Sequence, residues 1–265
     1  MERIKVPGII AMQDVKKLDI KHIPKFTSGI KALDSALGGF RMGELTVFTG
    51  KRGEGKSTIA SQLLIESMEQ GFNVCAYSGE LRAEMYQFWA HNQMAGKNNL
   101  TSHFDQSKQQ DVYYADDRIA FRLKEWYKDR YYLFDNELKD MVAEQVNILT
   151  TFYNAYETFG CRVFLIDNLL TVRTVAKNIT EKDFYRAQSE FVANVVRFVE
   201  KTNSHVFLVA HPRKSPQGTK DKGIDGDDVS GSGDIINLCH NMISIKRESG
   251  ENGVDASLDI KKNRF

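Results

Sequence analysis

Residues 50–58, GKRGEGKST, have the types and spacing that most clearly specify chemistry. The pattern GxxxxGK followed by Ser or Thr turns backbone N–H groups inward around phosphates, and the helix that follows adds its N-terminal dipole. Lys56 would bridge the β- and γ-phosphates of ATP, and the Ser57 hydroxyl would bind Mg²⁺. The residues expected to contact the nucleotide are Gly50, Arg52, Gly53, Glu54, Gly55, Lys56, Ser57 and Thr58.

Three polar residues that each follow a short apolar run could complete such a site. Asp167 stands where a carboxylate would hold the metal, and Glu80 could accept a proton from the attacking water. His211 could hydrogen-bond the γ-phosphate or the catalytic carboxylate. Ordinary alternatives exist: a cap or turn for the aspartate, a surface loop for the glutamate and a structural role for the histidine.

The elements that must position these residues follow from the apolar pattern. Strands are predicted at 45–48, 72–77, 163–166 and 206–209. Helices are predicted at about 28–37, ended by the glycines at 38 and 39, and at about 57–70 and 181–202, with 82–160 largely helical and 214–228 a polar loop. Strand and helix alternate, and the strands are apolar without alternation, so the sequence predicts an α/β fold with a central parallel sheet.

The N-terminal region is expected to be a separate arm. Residues 1–26 form this linker, and 27–265 form one domain. The arm's apolar residues recur at roughly helical spacing: Ile9, Ile10, Met12, Val15 and Leu18. Such a stripe must bury itself, either on its own domain or as a helix docked on a neighbouring subunit.

Composition constrains the partners only weakly. The 265 residues include 36 Lys plus Arg and 35 Asp plus Glu, a balance that neither indicates nor excludes nucleic acid. Three widely spaced cysteines lack metal-ligand spacing, and two lie in apolar runs, which favours reduced thiols. Without a signal-peptide or membrane-spanning run, the sequence predicts a cytoplasmic protein or one in an equivalent reducing compartment such as the mitochondrial matrix.

The order of the motifs resembles a known family. They are the P-loop, SGE at 78–80, LIDN at 165–168, VAHPRK at 209–214, GSG at 231–233 and KNRF at 262–265. This order is similar to the RecA-like domain of DnaB-type hexameric replicative helicases, and within them to the Twinkle-like and phage enzymes. HPRK and KNRF are the more specific signals, and the similarity runs from about residue 24 to the end.

The resemblance implies a RecA-like P-loop NTPase fold, with a mostly parallel twisted sheet flanked by helices. It implies a 5′-to-3′ helicase motor that uses ATP and Mg²⁺ and moves on single-stranded DNA as a homo-oligomeric, hexameric ring, with a primase or helicase loader as a further partner. Glu80 then matches the catalytic glutamate, Asp167 the Walker B carboxylate and His211 the sensor. Lys262 and Arg264 match the pair that reaches the neighbouring subunit's γ-phosphate. Without the resemblance, the segment KKNRF would be interpreted as a basic end exposed to solvent.

The resemblance also implies DNA contacts from loops that face the ring's channel. The candidates are Arg213, Lys214, Lys220, Lys222, Gly231, Ser232 and Gly233, with Arg173 and Lys177 as weaker ones. The chain departs from the family at Ser230 and Asn237, where an arginine and a glutamine are usual. Because the family's sheet continues beyond the position of Phe265, we expect the domain to be truncated at its C-terminus, and we expect residues 1–26 to match the family's linker.

Two other classes share part of these features. A RecA/RadA-type recombinase or a KaiC-like ATPase has the same P-loop and the same approach to it, TSGI…LGG at 27–39, but does not unwind forks. An adaptor could use the fold to bind a primase or loader without turning over ATP, and would then lose nothing on Lys56→Ala.

Overall fold

The computed structural model describes residues 7–136, 148–172, 181–211, 233–250 and 253–264. The strands are β1 (Lys25–Phe26), β2 (Phe40–Arg41), β3 (Leu45–Thr49), β4 (Asn73–Ser78), β5 (Thr101–Asp105), β6 (Gln110–Tyr114), β7 (Tyr131–Leu133), β8 (Cys161–Asp167), β9 (His205–Val209), β10 (Asn241–Gly250) and β11 (Gly253–Asn263). The helices are α1 (Lys31–Leu37), α2 (Lys56–Glu69), α3 (Ala83–Ala95), α4 (Asp117–Tyr127), α5 (Ile148–Phe159), α6 (Glu181–Thr202) and α7 (Gly233–Leu238).

The main sheet has the strand order β11-β10-β3-β9-β8-β4-β7. Each strand from β10 to β7 is parallel to its neighbour, and β11 alone in this sheet runs antiparallel, on the edge beside β10. The central strands β3 and β9 are buried at every position, as strands covered on both faces must be. The predicted α/β fold with a parallel sheet is confirmed.

Helices cover both faces of this sheet and give a three-layer α/β/α arrangement. One apolar cluster joins one sheet face to α1, α2 and α3, and the other joins the opposite face to α5, α6 and α7. Phe207 and Phe164 show the two layers: the first packs on Phe48 with ring centroids 5.8 Å apart, and the second on Phe198 at 5.1 Å. Each such buried ring contributes about 1.5–3 kcal/mol, so the sheet is held from both sides.

The middle of the chain differs from its prediction. Residues 82–160 contain the helices α3, α4 and α5, as predicted, but they also contain the antiparallel hairpin β5–β6 and the edge strand β7, which were not predicted. The turn of the hairpin is fixed by Asp105, whose carboxylate accepts from the backbone N–H of Ser107 at 2.8 Å. Strand β7 has only three residues, too few to give a periodic signal, and its pairing with β4 is a long-range contact.

The N-terminal arm does not form the helix that its spacing suggested. Its described part contains two single-turn 3₁₀ helices, Met12–Asp14 and Ile20–His22, and its apolar residues are exposed. Packing of the stripe on its own domain is therefore not observed. At the end of this arm, Phe26 is 1% exposed, and β1 pairs with β2.

Several predictions concern residues outside the described ranges, including the polar loop at 214–228. Among the helices that the structure describes, none has the length and apolar character needed to cross a bilayer. The three cysteines are buried and unpaired, and burial raises the pKa of the Cys161 thiol to about 12 and that of Cys239 to about 11.

Candidate active site

The predicted phosphate loop joins the end of β3 to the start of α2, at the carboxyl edge of the parallel strands. Gly50 has a φ of +147°, and a Cβ there would collide with the carbonyl oxygen of Ile245 on β10. Gly55 caps α2 with a φ of +91°. The loop therefore needs glycine for close approach to β10 and for its left-handed turn into the helix.

Lys56 lies at the centre of this loop and is 4% exposed. Its ammonium donates to the carbonyl oxygens of Gly50 at 2.7 Å and Lys51 at 2.6 Å. Burial lowers its pKa, and the nearby charge of Glu54 is the largest effect acting the other way. The Glu54 carboxylate also accepts from the backbone N–H of Lys51, so it occupies a donor of the kind that a phosphate oxygen would use.

Ser57 and Asp167, the two predicted metal ligands, are brought together across α2 and β8. The Ser57 side chain lies close enough to the Asp167 carboxylate to lower its pKa. Asp167 is 6% exposed, and no residue that the structure describes forms a hydrogen bond with its buried Oδ1. Burial, assisted by Glu80, raises the pKa of Asp167 to about 6, while Ser57 and Lys56 oppose that rise.

This pair fits the Mg²⁺ that the loop motif implies. Mg²⁺ takes hard oxygen ligands and is usually held by one or two carboxylates together with substrate phosphates. The unpartnered Oδ1 of Asp167 and the hydroxyl of Ser57 provide such oxygens beside the phosphate loop. A cation there would also compensate the buried charge that raises the carboxyl's pKa.

Glu80 and His211 meet through a residue that sequence reasoning did not assign a role. Asn168 Nδ2 donates to Glu80 Oε1 at 2.5 Å and lies 3.2 Å from His211 Nε2. His211 Nε2 and Glu80 Oε1 are themselves 4.0 Å apart. The available signal was position, because Asn168 directly follows Asp167 at the end of β8.

Gly79, between Ser78 and Glu80, is a second residue for which the sequence predicted no role. Its N–H donates to the carbonyl of Asp167 at 2.6 Å, and a Cβ there would collide with the Thr171 side chain. Only glycine therefore lets the β4 end lie this close to the β8 end. The contact brings Glu80 within reach of Asn168.

Lys262 and Arg264 do not join this site within one chain. The register of β11 pairs Asn263 with Asn241, which starts β10, so both cations lie at the amino edge of the parallel strands. Lys262 Nζ donates to the Asn237 carbonyl at 3.1 Å, and Arg264 donates to the same oxygen. In one chain, both cations hold the C-terminal end of α7.

The predicted DNA-contacting residues fall mostly outside the described ranges. These are Arg213, Lys214, Lys220, Lys222, Gly231 and Ser232, together with Arg173, Lys177 and Ser230. Gly233 is described and begins α7, and Asn237 lies in the last turn of that helix. The helix that follows the predicted GSG turn is therefore the helix that Lys262 and Arg264 contact.

An open cleft of about 660 Å³ adjoins the phosphate loop on the side away from Glu80. Glu54, Gly55 and Thr58 contribute to one wall, and apolar residues of α1, β10 and β11 contribute to the others. The cleft is continuous with the loop, so it offers space for the base and ribose of a nucleotide whose phosphates lie over Lys56.

Comparisons with known proteins identify the family and the fold. Residues 17–217 match the AAA domain family. The chain is 27% identical over 216 residues to the "Twinkle homolog protein, chloroplastic/mitochondrial" of Arabidopsis thaliana, an alignment that covers 79% of this chain. The chain spans 29% of the length of that relative.

Among solved structures, the fold is similar to that of a KaiC-like protein from the archaeon Pyrococcus horikoshii OT3. The TM-score is 0.56, the sequence identity is 16%, and the match covers 91% of this chain and 89% of that one. At this identity the similarity concerns the fold, and it supports a RecA-like P-loop architecture.

Proposed function

Since this chain belongs to the AAA domain family, we propose that it hydrolyses ATP with Mg²⁺ and is the motor domain of a replicative DNA helicase that moves along single-stranded DNA as a ring. The observation that carries the ATPase part is the convergence at one sheet edge. Lys56, Asp167 and Glu80 come from three different strand ends and lie around one phosphate loop. That arrangement combines a cation for the phosphates, a carboxylate for a metal and a carboxylate for the attacking water.

The side chains would divide the reaction as follows. Lys56 would release the Gly50 and Lys51 carbonyls and bind the β- and γ-phosphates, and the loop's N–H groups would bind them as well. Ser57 and Asp167 would hold Mg²⁺, which supplies charge neutralisation on the phosphates. Glu80, whose side chain is 60% exposed, is accessible to water and would accept a proton from the attacking molecule.

The proposal of a ring rests on Lys262 and Arg264. A site of this kind needs a cation near the transferred phosphoryl group, and the Arg264 guanidinium lies at the opposite sheet edge in its own chain. A second copy packed edge to edge could present this cation to the phosphates. Hydrolysis would then depend on assembly.

The helicase assignment is supported by the relative with Twinkle in its name and by the HPRK and KNRF motifs. A second candidate, a KaiC-like or RecA/RadA-type ATPase without unwinding, is favoured by the likeness to the archaeal KaiC-like structure. Both candidates use the same ATPase site, so only the response to DNA separates them.

The test is the ATPase rate measured with and without single-stranded DNA, with light scattering of the same sample in Mg²⁺ and a nucleotide analogue. Stimulation by DNA in a closed oligomer of about six subunits, with unwinding of a forked duplex, would support the helicase motor. Turnover in an oligomer that neither responds to DNA nor unwinds it would favour the KaiC-like candidate. An absence of turnover in an assembled oligomer would contradict the ATPase proposal and favour an adaptor.

A further inference from the structure

Asn168 is 1% exposed, yet its side chain bonds in three directions. Its Oδ1 accepts from the backbone N–H of Leu170 at 3.0 Å, which caps the 3₁₀ turn Leu169–Thr171. Its Nδ2 faces Glu80 and His211 at 2.5 and 3.2 Å. The amide therefore uses its acceptor for the turn and its two N–H groups for the site.

The orientation of this amide follows from its partners. A flipped amide would point Oδ1 at the Glu80 carboxylate, where two acceptors would repel, and would point N–H groups at the Leu170 N–H. With the orientation described, the second Nδ2 hydrogen points to His211 Nε2. That nitrogen must then be an acceptor, which makes His211 a neutral imidazole with its proton on Nδ1.

The surroundings of His211 favour this neutral form. Burial and the charge of Lys56 lower the pKa of His211, with Arg52 acting in the same direction and Glu80 opposing them. The histidine side chain is 17% exposed. A neutral imidazole can accept a hydrogen bond from Asn168 Nδ2. An imidazolium would instead point its own Nε2–H at the N–H of the amide, and two donors would then face each other.

Glu80 needs an external constraint if it is to orient a water molecule. Its side chain is 60% exposed, so packing does not fix its rotamers. Asn168, in contrast, is fixed by its turn: the Thr171 hydroxyl donates to the Asn168 carbonyl at 2.8 Å. A rigid donor thus holds one carboxylate oxygen and leaves the other free to accept a proton.

We propose that Asn168 is a positioning residue that joins the Glu80 carboxylate to His211, so that the attacking base and the end of β9 move as one unit. The proposal rests on the ATP hydrolysis proposed above. A cap alone does not require asparagine, because serine and aspartate cap equally well through an oxygen. The Nδ2 group of Asn168, in contrast, contacts Glu80 and His211 and takes no part in the cap.

The test uses Asn168→Ser and Asn168→Asp, which both keep an oxygen for the Leu170 N–H and remove the amide donor. The matched control is Asn241→Ser, because Asn241 is 2% exposed and donates to Glu44 at 2.9 Å at the opposite sheet edge. For each variant, the Kd of a fluorescent nucleotide analogue, the single-turnover hydrolysis rate and the denaturant midpoint are measured in the assembled protein.

We expect both Asn168 variants to slow hydrolysis about 10- to 100-fold, with the Kd within about twofold, because a displaced base affects the chemical step and not ground-state binding. Asn241→Ser should lower the denaturant midpoint and leave the rate unchanged. A hydrolysis rate within twofold of wild type in Asn168→Ser would mean that Asn168 serves only to cap its turn, and would overturn the proposal. Loss of nucleotide binding together with turnover in both variants would equally overturn it.

A double-mutant cycle addresses the link to His211. If Asn168 joins the two groups, His211→Ala should slow hydrolysis much less in the Asn168→Ser background than in wild type. Additive effects would remove His211 from the unit. A wild-type protein without turnover would contradict the ATPase proposal itself, so the two failures are distinguishable.

Discussion

The two edges of the main sheet both hold buried polar clusters, but they differ in how those groups are satisfied. At the amino edge, Asn241 donates to Glu44 at 2.9 Å, and the imidazole of His205 bonds Thr46 Oγ1 at 3.1 Å and the Arg41 carbonyl at 2.7 Å. These side chains bond to one another, although Ser204 Oγ, directly before β9, is buried without a hydrogen-bond partner among the described residues. This edge has the character of a structural network that fixes the ends of β3, β9 and β10.

At the carboxyl edge, several groups lack such partners. Within the described residues, the buried oxygens without a hydrogen bond include Thr49 Oγ1, Asn136 Oδ1 and Asp167 Oδ1, which lie at or just after the ends of β3, β7 and β8. Among the described residues, the hydrogen bonds of the Lys56 ammonium go to carbonyls of its own loop. Unpartnered groups that lie together beside a phosphate loop are groups that a bound ligand could satisfy. Buried polar groups therefore indicate a functional site more strongly at this edge than at the amino edge.

The largest expected effect tests whether the amino edge of one copy serves the carboxyl edge of another. Arg264→Ala should reduce DNA-stimulated ATPase about 10³-fold, since a trans arginine stabilises the transition-state charge. The control is Lys261→Ala, which removes an exposed cation of the same strand that pairs with Asp259 at 2.6 Å. Its ATPase rate should match wild type.

Mixed rings complete this test. Adding a Glu80→Gln subunit, which keeps Arg264, should partly restore the turnover of Arg264→Ala subunits. The ATPase rate is measured across mixing ratios. A rate that never exceeds the sum of the two separate variants would argue against action between subunits.

The next effect compares one glutamate from each edge. Glu80→Gln should keep nucleotide binding and reduce hydrolysis at least about 10²-fold, because the amide cannot accept the proton of water. Glu44→Gln, at the amino edge, should leave turnover unchanged and alter only the free energy of unfolding. ATPase assays and nucleotide titrations of both variants measure this contrast, and unchanged turnover in Glu80→Gln would remove that residue from the mechanism.

A smaller effect concerns stability and pH. The pKa of folded Asp167 is about 6, above its ordinary value of 3.8, so the folded chain holds this proton more tightly than the unfolded chain. The stabilisation from this group is therefore fully present below pH 3.8 and is lost as the pH rises through about 6. Without Mg²⁺ at pH 8, Asp167→Asn should be more stable than wild type by about 1–3 kcal/mol.

Denaturant unfolding from pH 4 to pH 8 measures this difference, which should shrink toward pH 4. The matched comparison is Asp34→Ala, which removes a carboxylate already bonded to the Ser28 N–H at 2.7 Å and should lower stability at pH 8. Equal destabilisation by both substitutions would mean that the folded protein stabilises the Asp167 carboxylate, as it stabilises the Asp34 carboxylate.

The smallest expected effect lies in the phosphate loop. Glu54→Gln should tighten nucleotide binding about two- to tenfold, because the carboxylate that bonds the Lys51 N–H competes with phosphate for the loop and for Lys56. Glu66→Gln, farther along α2, is the control and should leave the Kd unchanged. Titration with a nucleotide analogue measures the Kd of each variant. Weaker binding in Glu54→Gln would mean that the carboxylate helps to hold the nucleotide.

The sequence was most informative where the signal is local. The phosphate loop needs glycines and a lysine at fixed spacing, and α2 lies within one residue of its predicted bounds at each end. Strands buried on both faces are continuous apolar runs, which made β3, β8 and β9 predictable. The hairpin β5–β6 and the strand β7 were missed because short, half-exposed strands resemble the irregular parts of helical regions.

By itself, the sequence determined which residues could bind phosphate and metal and that they follow strands of a parallel sheet. Only the tertiary structure decided which strand ends are neighbours. Asn168 is 88 residues from Glu80 and 43 from His211 along the chain, and the strand order places them in contact. The tertiary structure also placed Arg264 at the far edge from its own phosphate loop. The physical reason is that propensity and apolar periodicity act between near neighbours, whereas strand order depends on packing between residues far apart in the chain.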